Sequence, residues 1–489
     1  MDGDESMHIV LFPFPAQGHF AAFLSLAGRL HRARPSAAVT LVSTPGNVAA
    51  LRASASASSS LPFLRFHALP FVPEEHGLPA GAESTDALPI RHFLDLFHAT
   101  ESPSLRATFD DFVSSAAATA DGRVVLLIAD PLLSWTTGVA RRRGAGHALF
   151  VSCGAFGSAV YYSLLNHLPY QLAPADGDDA YFRLPDHPEV TVHRSQLFAP
   201  LRVADGTDPW SAFNRRQIAH ARDTDALLVN TTEELEPAGL RMLRATMGGA
   251  PVWPVGPLVQ ERSGSDGDGV VRWLDAKKEA MSVLYISFGS QNSLRPEQMM
   301  ELAAALELAG RPFVWAIRPP VGSDDDKVGR WLPEGFEERV RGNNTGLLIR
   351  GWAPQVRILA HASTGAFLSH CGWNSVLESV THGVPVIGWP LAGEQFFNAK
   401  MLAEEWGVCV EVARGNDAVR SSVVDRARIA EAVETVMGDS ADATEMRRRA
   451  KEVQDLVLGA QSVGGSSTEA LEEFFTTMRR GVSDSANNS

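Results

Sequence analysis

Residues Trp352–Gln395 read WAPQVRILAHASTGAFLSHCGWNSVLESVTHGVPVIGWPLAGEQ, and the rest of the chain is interpreted from this stretch. Its centre, His370-Cys371-Gly372-Trp373-Asn374-Ser375, lies between a strand-like run, Gly365 to Leu368, and a helix-like run, Ser375 to Thr381. A strand, a tight turn and a helix start together present backbone N–H groups to an anion. An aromatic residue (Trp352), two amides (Gln355, Gln395) and two acids (Glu378, Glu394) surround that centre. Such groups suit a base, a diphosphate and a hydroxyl-rich sugar.

Working outward, the segments Val283–Phe288, Pro296–Ala309, Phe313–Ile317, Gly346–Ile349, Gly365–Leu368 and Val384–Trp389 alternate between strand and helix patterns. The first half carries its own series. His8–Phe14 is a buried strand, Pro15–His19 a turn, Phe20–Arg34 an amphipathic helix and Ala38–Val42 a second strand. Further strands are expected at Phe63–Leu69, Arg123–Asp130, His147–Ser152 and Ala226–Asn230, the last of this half. Ile90–Ala118, Leu133–Arg142 and Leu235–Met247 read as helices. The α/β alternation predicts parallel sheets in two Rossmann-like domains facing a cleft. The expected boundaries are residues 1–256, a polar linker over about 257–269, and a second domain to 463. A terminal helix over 464–482 packs back on the first domain, and residues 483–489 form a disordered tail.

The totals narrow the function. The chain has 489 residues, 45% hydrophobic and 20% charged, which is ordinary for a globular protein. A formal net charge of −14 opposes nucleic-acid binding and a polybasic membrane surface. Three cysteines without metal spacing suit a reducing compartment. The acidic start, Met1 to Ser6, is unlike a signal peptide, and no apolar run spans a bilayer, so a cytoplasmic protein without membrane insertion is expected.

Individual residues carry the chemistry. Trp352, at a turn into a helix, is placed to stack on a base. His370, Asn374, Ser375 and the helix N–H groups supply donors and positive potential for a diphosphate, and Ser290 lies on a second Gly-flanked turn. Glu378 shares a helix face with Asn374 and suits ribose hydroxyls better than phosphate. Glu394 and Gln395 follow a strand end, where an acid and an amide can bind sugar hydroxyls. In the first half, His19 at a helix start is the candidate general base, since the N-terminus disfavours imidazolium. Asp130, ending another strand, can hold the far ring nitrogen and stabilise the cation formed during proton transfer. The Asp-Xaa-Asp triplets Asp176–Asp178 and Asp266–Asp268 lie in hydrophilic stretches and are read as solvent-facing. No metal and no cofactor is expected, because His370 and the helix start can carry leaving-group charge.

The 44 residues Trp352–Gln395 resemble, almost position for position, the signature box of plant family 1 UDP-dependent glycosyltransferases. The resemblance continues through Pro15-Ala16-Gln17-Gly18-His19, Ser287-Phe288-Gly289-Ser290 and the terminal helix. It implies a GT-B fold with the donor in the C-terminal domain and the acceptor in the N-terminal one. It further implies that Trp352 stacks on uracil beside Ala353, and that Gln355 and Glu378 hold ribose. Ser290, His370, Asn374 and Ser375 would hold the diphosphate, and Trp373, Glu394 and Gln395 the sugar. Glu394 stands where the family often has Asp, and the terminal Gln395 is associated with glucose donors. Gly18-His19-Phe20-Ala21-Ala22-Phe23 lacks the proline the family commonly has after this His, so the helix entry and acceptor wall differ. Phe14, Phe93, Phe156 and Trp389 are the candidate acceptor walls.

The expected function is therefore inverting, metal-independent transfer of a sugar, glucose by the resemblance. The donor is a UDP-sugar and the acceptor a hydroxyl or carboxyl of an apolar small molecule, with a monomer as the working unit. The alternative is a non-catalytic UDP-sugar sensor, which would not need His19 with Asp130. A nicotinamide oxidoreductase shares the fold class, but no G-x-G-x-x-G follows a strand.

Overall fold

The computed structural model describes residues 7–58, 61–118, 124–172, 180–259, 267–320, 331–415 and 422–487. Two compact units result. One comprises the chain up to residue 194, residues 200–259 and everything from 460 on; the other comprises 195–199 and 260–459.

The first unit is built on β1 (Met7–Phe12), β2 (Ala38–Ser43), β3 (Leu64–Ala68), β4 (Val124–Ala129) and β5 (Gly146–Val151). A small antiparallel hairpin follows, β6 (Tyr181–Arg183) with β7 (Thr191–His193), and then β8 (Ala226–Val229) and β9 (Val252–Pro254). All but the hairpin form one seven-stranded parallel sheet in the order β3-β2-β1-β4-β5-β8-β9. Its central strands are continuous apolar runs because helices cover both faces. Ile9, Leu11, Leu126, Ile128 and Phe150 are accordingly buried.

Two local readings change. β9 adds a strand beyond Ala226–Asn230; its three residues end on Pro254, and a proline at a sheet edge masks the strand pattern. The Ile90–Ala118 stretch is two α-helices, Phe93–Ala99 and Pro103–Ala118, because Pro103 has no N–H to continue the first helix and starts the second.

The terminal helix, Ser466–Asn487, belongs to this unit and runs into the 483–489 stretch expected to be disordered. Leu471, Phe474, Phe475 and Met478 join the core of the first sheet, each apolar side chain stabilising by about 1.5–3 kcal/mol. Arg34 fixes the helix by a two-pronged bond to Glu472 (2.7 and 3.0 Å) and lies 4.5 Å over the Phe475 ring.

The second unit holds β10 (Val283–Ser287), β11 (Phe313–Ala316), β12 (Gly346–Ile349), β13 (Thr364–Ser369), β14 (Val386–Gly388) and β15 (Cys409–Glu411). They form a six-stranded parallel sheet in the order β12-β11-β10-β13-β14-β15. Each large sheet reverses direction once: β2 and β3 lie on one side of β1 and β4 on the other, just as β11 and β12 flank β10 opposite β13. Outside the carboxyl ends of the strands at such a reversal, the diverging connections leave a ligand crevice.

Candidate functional site

In the first unit, the reversal lies between β1 and β4. The chain leaves β1 through Pro13–Ala16 and enters the helix Gln17–Ala33, so His19 falls in the first turn. Asp130 follows β4, its backbone N–H still bonded to Phe12 O at 3.0 Å. The two side chains meet: His19 Nδ1 is 2.6 Å from Asp130 Oδ2. The other carboxylate oxygen accepts from Leu132 N at 3.0 Å, so Asp130 is clamped, and it is 0% exposed. A buried carboxylate beside Nδ1 fixes the tautomer with that nitrogen protonated, which makes Nε2 the basic one. The imidazole side chain is 26% exposed. Ser152 Oγ, at the end of β5, lies 3.4 Å from the same Nδ1. The Phe14 ring is 5.6 Å from the imidazole and 5.0 Å edge-on from Phe97.

In the second unit, the corresponding reversal lies between β10 and β13. His370 follows β13 and its ring sits between two glycines. A Cβ on Gly289 would fall 2.6 Å from its Nε2, and one on Gly372 would fall 2.5 Å away. Burial pushes the His370 pKa down to about 4, only partly offset by the Ser287 backbone. The ring is therefore neutral in the free protein, which corrects its expected part in the positive potential. That potential comes from the helix Trp373–Thr381, whose N-cap Gly372 has no side-chain bond to its N–H groups. The His370 Nδ1 is buried without a hydrogen-bond partner, a vacancy that an anionic oxygen cannot fill unless this nitrogen carries the proton.

The neighbouring groups form a network. Gln355 Nε2 donates to Glu378 Oε2 at 2.6 Å and to Ser375 Oγ at 3.0 Å. Trp352 is 52% exposed just before the short helix Gln355–Leu359, a large aromatic face turned to solvent. Ala353 packs against the apolar cluster under that helix. Ser290 extends the Gly289 turn, and its carbonyl accepts from Arg318 at 2.7 Å. Gln395 Oε1 accepts from Leu391 N and Ala392 N, both at 2.9 Å, which leaves the amide NH2 as the end able to meet a ligand. Glu394 precedes it as the N-cap residue of the helix Gln395–Glu404 and is half-buried.

A model of the UDP-glucoronosyl and UDP-glucosyl transferase family matches residues 272–446, and the glycosyltransferase N-terminal domain matches 5–173. UDP-glycosyltransferase 92A1 of Arabidopsis thaliana is 40% identical over 487 residues, 96% of each chain. The chain belongs to the plant family 1 UDP-dependent glycosyltransferases. Crocetin glucosyltransferase 3 of Crocus sativus is 41% identical, covering 86% of this chain and 89% of that one. The Glycyrrhiza uralensis structure UGT73P12, complexed with glycyrrhetinic acid 3-O-monoglucuronide, matches with a TM-score of 0.84 at 29% identity and covers 99% and 98% of the two chains. Medicago truncatula UGT71G1, complexed with UDP-glucose, matches at 0.79 and 26% identity, covering 98% and 99%. The glycosyltransferase has the GT-B class of α/β fold.

The structure sorts this glycosyltransferase's expected site residues. His19 and Asp130 come together, as do Gln355, Ser375 and Glu378. Asn374 is half-buried in the first turn of its helix. Trp373 is 3% exposed and offers little side chain to a sugar. Among the acceptor walls, Trp389 is a correction. It is 1% exposed, donates from Nε1 to Gly415 O at 3.2 Å and packs edge-on to Phe288 in the second unit's core. Its backbone N–H continues the sheet to Ser369 O at 2.8 Å, and that register turns the ring inward. Phe156 is 8% exposed in a helix start capped by the buried Glu236 carboxylate, and Phe93 packs on a small cluster with Leu96. Asp176, Asp178 and Asp266 lie outside the described residues; Asp268 pairs with Arg357 at 3.2 Å. Among the described residues, no helix is long and apolar enough to cross a membrane.

Buried histidines give the glycosyltransferase an acid limit. His147 on β5 bonds Thr136 Oγ1 at 3.0 Å and Thr224 Oγ1 at 2.8 Å, and burial, with Arg141 adding, lowers its pKa to about 3. In the unfolded chain both His147 and His370 titrate near 6.5. The folded values lie lower, so the stability they support is complete above about pH 6.5 and is lost progressively as pH falls towards about 4 for His370 and about 3 for His147. At about 1.4 kcal/mol per pKa unit, each histidine should cost about 2 kcal/mol between pH 6.5 and 5. Urea midpoints should therefore be lower at about pH 5 than at about pH 7.5, and His147→Asn should flatten the dependence. Equal midpoints for the unaltered chain, or an unchanged slope in the variant, would count against this assignment.

Proposed function

We propose that this glycosyltransferase moves glucose from UDP-glucose to a hydroxyl or carboxyl of an apolar small molecule, with inversion and without a metal. His19 Nε2 takes the acceptor proton while the acceptor oxygen attacks C1 of the sugar. The C1–O bond to the diphosphate breaks and UDP leaves. Asp130 steadies the imidazolium that forms, through the Nδ1 contact of 2.6 Å. That contact is the observation that carries the reading, since a sensor of UDP-sugars needs no buried carboxylate behind a half-exposed imidazole.

On the donor side, Trp352 takes the uracil face and Ala353 its edge. Glu378 with Gln355 takes the ribose. The helix start at Asn374 and Ser375, with His370 and Ser290, takes the diphosphate, and Glu394 and Gln395 take the sugar hydroxyls. Developing negative charge on the leaving group is met by the helix N-terminus. Phe14 is only 2% exposed and backs the site rather than walling it, so an apolar acceptor would meet the half-buried Phe97 ring that packs edge-on to it. The Phytolacca americana structure complexed with UDP-2fluoro-glucose and pterostilbene, 31% identical, is consistent with that acceptor class.

The test is to incubate purified protein with UDP-glucose and a panel of phenols, terpenoids and carboxylic acids. Mass spectrometry should detect products heavier by one hexosyl group, with stoichiometric UDP release in metal-chelated buffer. Tight UDP binding without turnover of any acceptor would favour the sensor. Turnover only when a divalent cation is supplied would remove the metal-independent mechanism.

A further inference from the structure

Gln355 is held from three directions. Besides its bonds to Glu378 and Ser375, its Oε1 accepts from the Tyr285 hydroxyl at 3.0 Å. The orientation of the amide follows from these partners. A carboxylate only accepts, so the NH2 must face Glu378. The amide oxygen must then face the phenol, and the phenol must donate. Tyr285 is 0% exposed on β10, and its ring stacks 4.9 Å from Phe367. Burial raises its pKa most; a hydrogen bond from the Ser287 side chain opposes this and the nearby Glu378 charge adds a lesser rise, so the hydroxyl keeps its proton.

We infer that Tyr285 is a positioning residue for ribose recognition, fixing through Gln355 the direction in which Glu378 meets the donor's ribose hydroxyls. The inference rests on the donor reading above. With both amide hydrogens engaged, Gln355 has no hydrogen left for the ligand. Its part is to hold the carboxylate, and one lone pair of its oxygen remains for a ribose O–H. The β10 tyrosine is thus the rigid end of a chain, Tyr285–Gln355–Glu378, that runs from the sheet core to the helix Trp373–Thr381. A phenylalanine would fill the same space against Phe367, so the hydroxyl can be removed without emptying the core.

Tyr285→Phe should be made in the full chain, and binding of UDP and of 2′-deoxy-UDP measured by calorimetry. UDP affinity is expected to fall about tenfold and 2′-deoxy-UDP affinity far less, so that the preference for the ribonucleotide shrinks by about the same factor. Gln355→Ala should collapse the preference likewise, and the double variant should add little, because both act along one chain. A ratio unchanged by Tyr285→Phe, whether the two affinities stay put or fall together, would overturn the inference and leave a merely structural hydroxyl. Failure of the underlying reading looks different: an unaltered protein that binds UDP and 2′-deoxy-UDP equally removes the ribose site, and one that binds neither removes the donor site.

Discussion

Replacing His19 by alanine is expected to lower kcat by about 10²–10⁴ while leaving UDP affinity nearly intact. The imidazole is tied to Asp130 in the unit that carries β1 and β4, whereas the loop proposed to hold the diphosphate belongs to the unit of β10 and β13. A loss confined to turnover is the signature of an interaction made in the transition state. Asp130→Asn separates orientation from charge. It keeps the shape, but an amide facing Nδ1 can present an N–H there, which favours the opposite tautomer and leaves Nε2 protonated. Its kcat should fall nearly as far as that of His19→Ala, and the double variant should be little worse than either, since the pair acts as one unit. Parallel losses of turnover and UDP affinity in His19→Ala would mean that the histidine supports the fold. Full activity in Asp130→Asn would remove the carboxylate from the mechanism.

The parts of this site that were legible in the sequence are those whose chemistry is contiguous. Trp352, Gln355, His370, Asn374, Ser375 and Glu378 lie within 44 residues, and the strand–turn–helix pattern around them survives in β13 and its following helix. His19 and Asp130 are legible at strand ends, because a parallel sheet places successive carboxyl ends on one edge, but their pairing as base and partner leans on the family resemblance as well. What stayed hidden depends on register and on partners distant in sequence. Tyr285 reads as one more apolar strand residue until the sheet brings it under Gln355. Arg318 meets Ser290, and Asn398 donates to Cys371 O at 3.0 Å, across 28 and 27 positions that no local pattern links. Phe97 was missed beside Phe93, since one helical face decides which ring turns to Phe14. Trp389 failed for the converse reason. The end of a strand does face the crevice, but its side chains still alternate between faces, and this one falls towards the core.

Gly289→Ala should weaken UDP binding by about a hundredfold, which exceeds what backbone strain alone would cause. Gly289 has φ +77°, a left-handed conformation that costs a residue with a Cβ about 1–2 kcal/mol. The added methyl would also sit 2.6 Å from His370 Nε2 and 2.8 Å from Cε1. Gly372 crowds the same end of the ring, since a Cβ there would fall 2.5 Å from Nε2. Either His370 tilts or the Ser287–Ser290 turn shifts, and both surround the proposed diphosphate position. Gly310→Ala is the control. It has φ +63° at the end of the helix Pro296–Ala309, and its Cβ would meet nothing within 4 Å. That variant should lose about 1–2 kcal/mol of stability through strain alone and bind UDP normally. The comparison therefore separates strain from collision. If Gly289→Ala bound UDP as tightly as Gly310→Ala, the packing of His370 between two glycines would have no bearing on the donor.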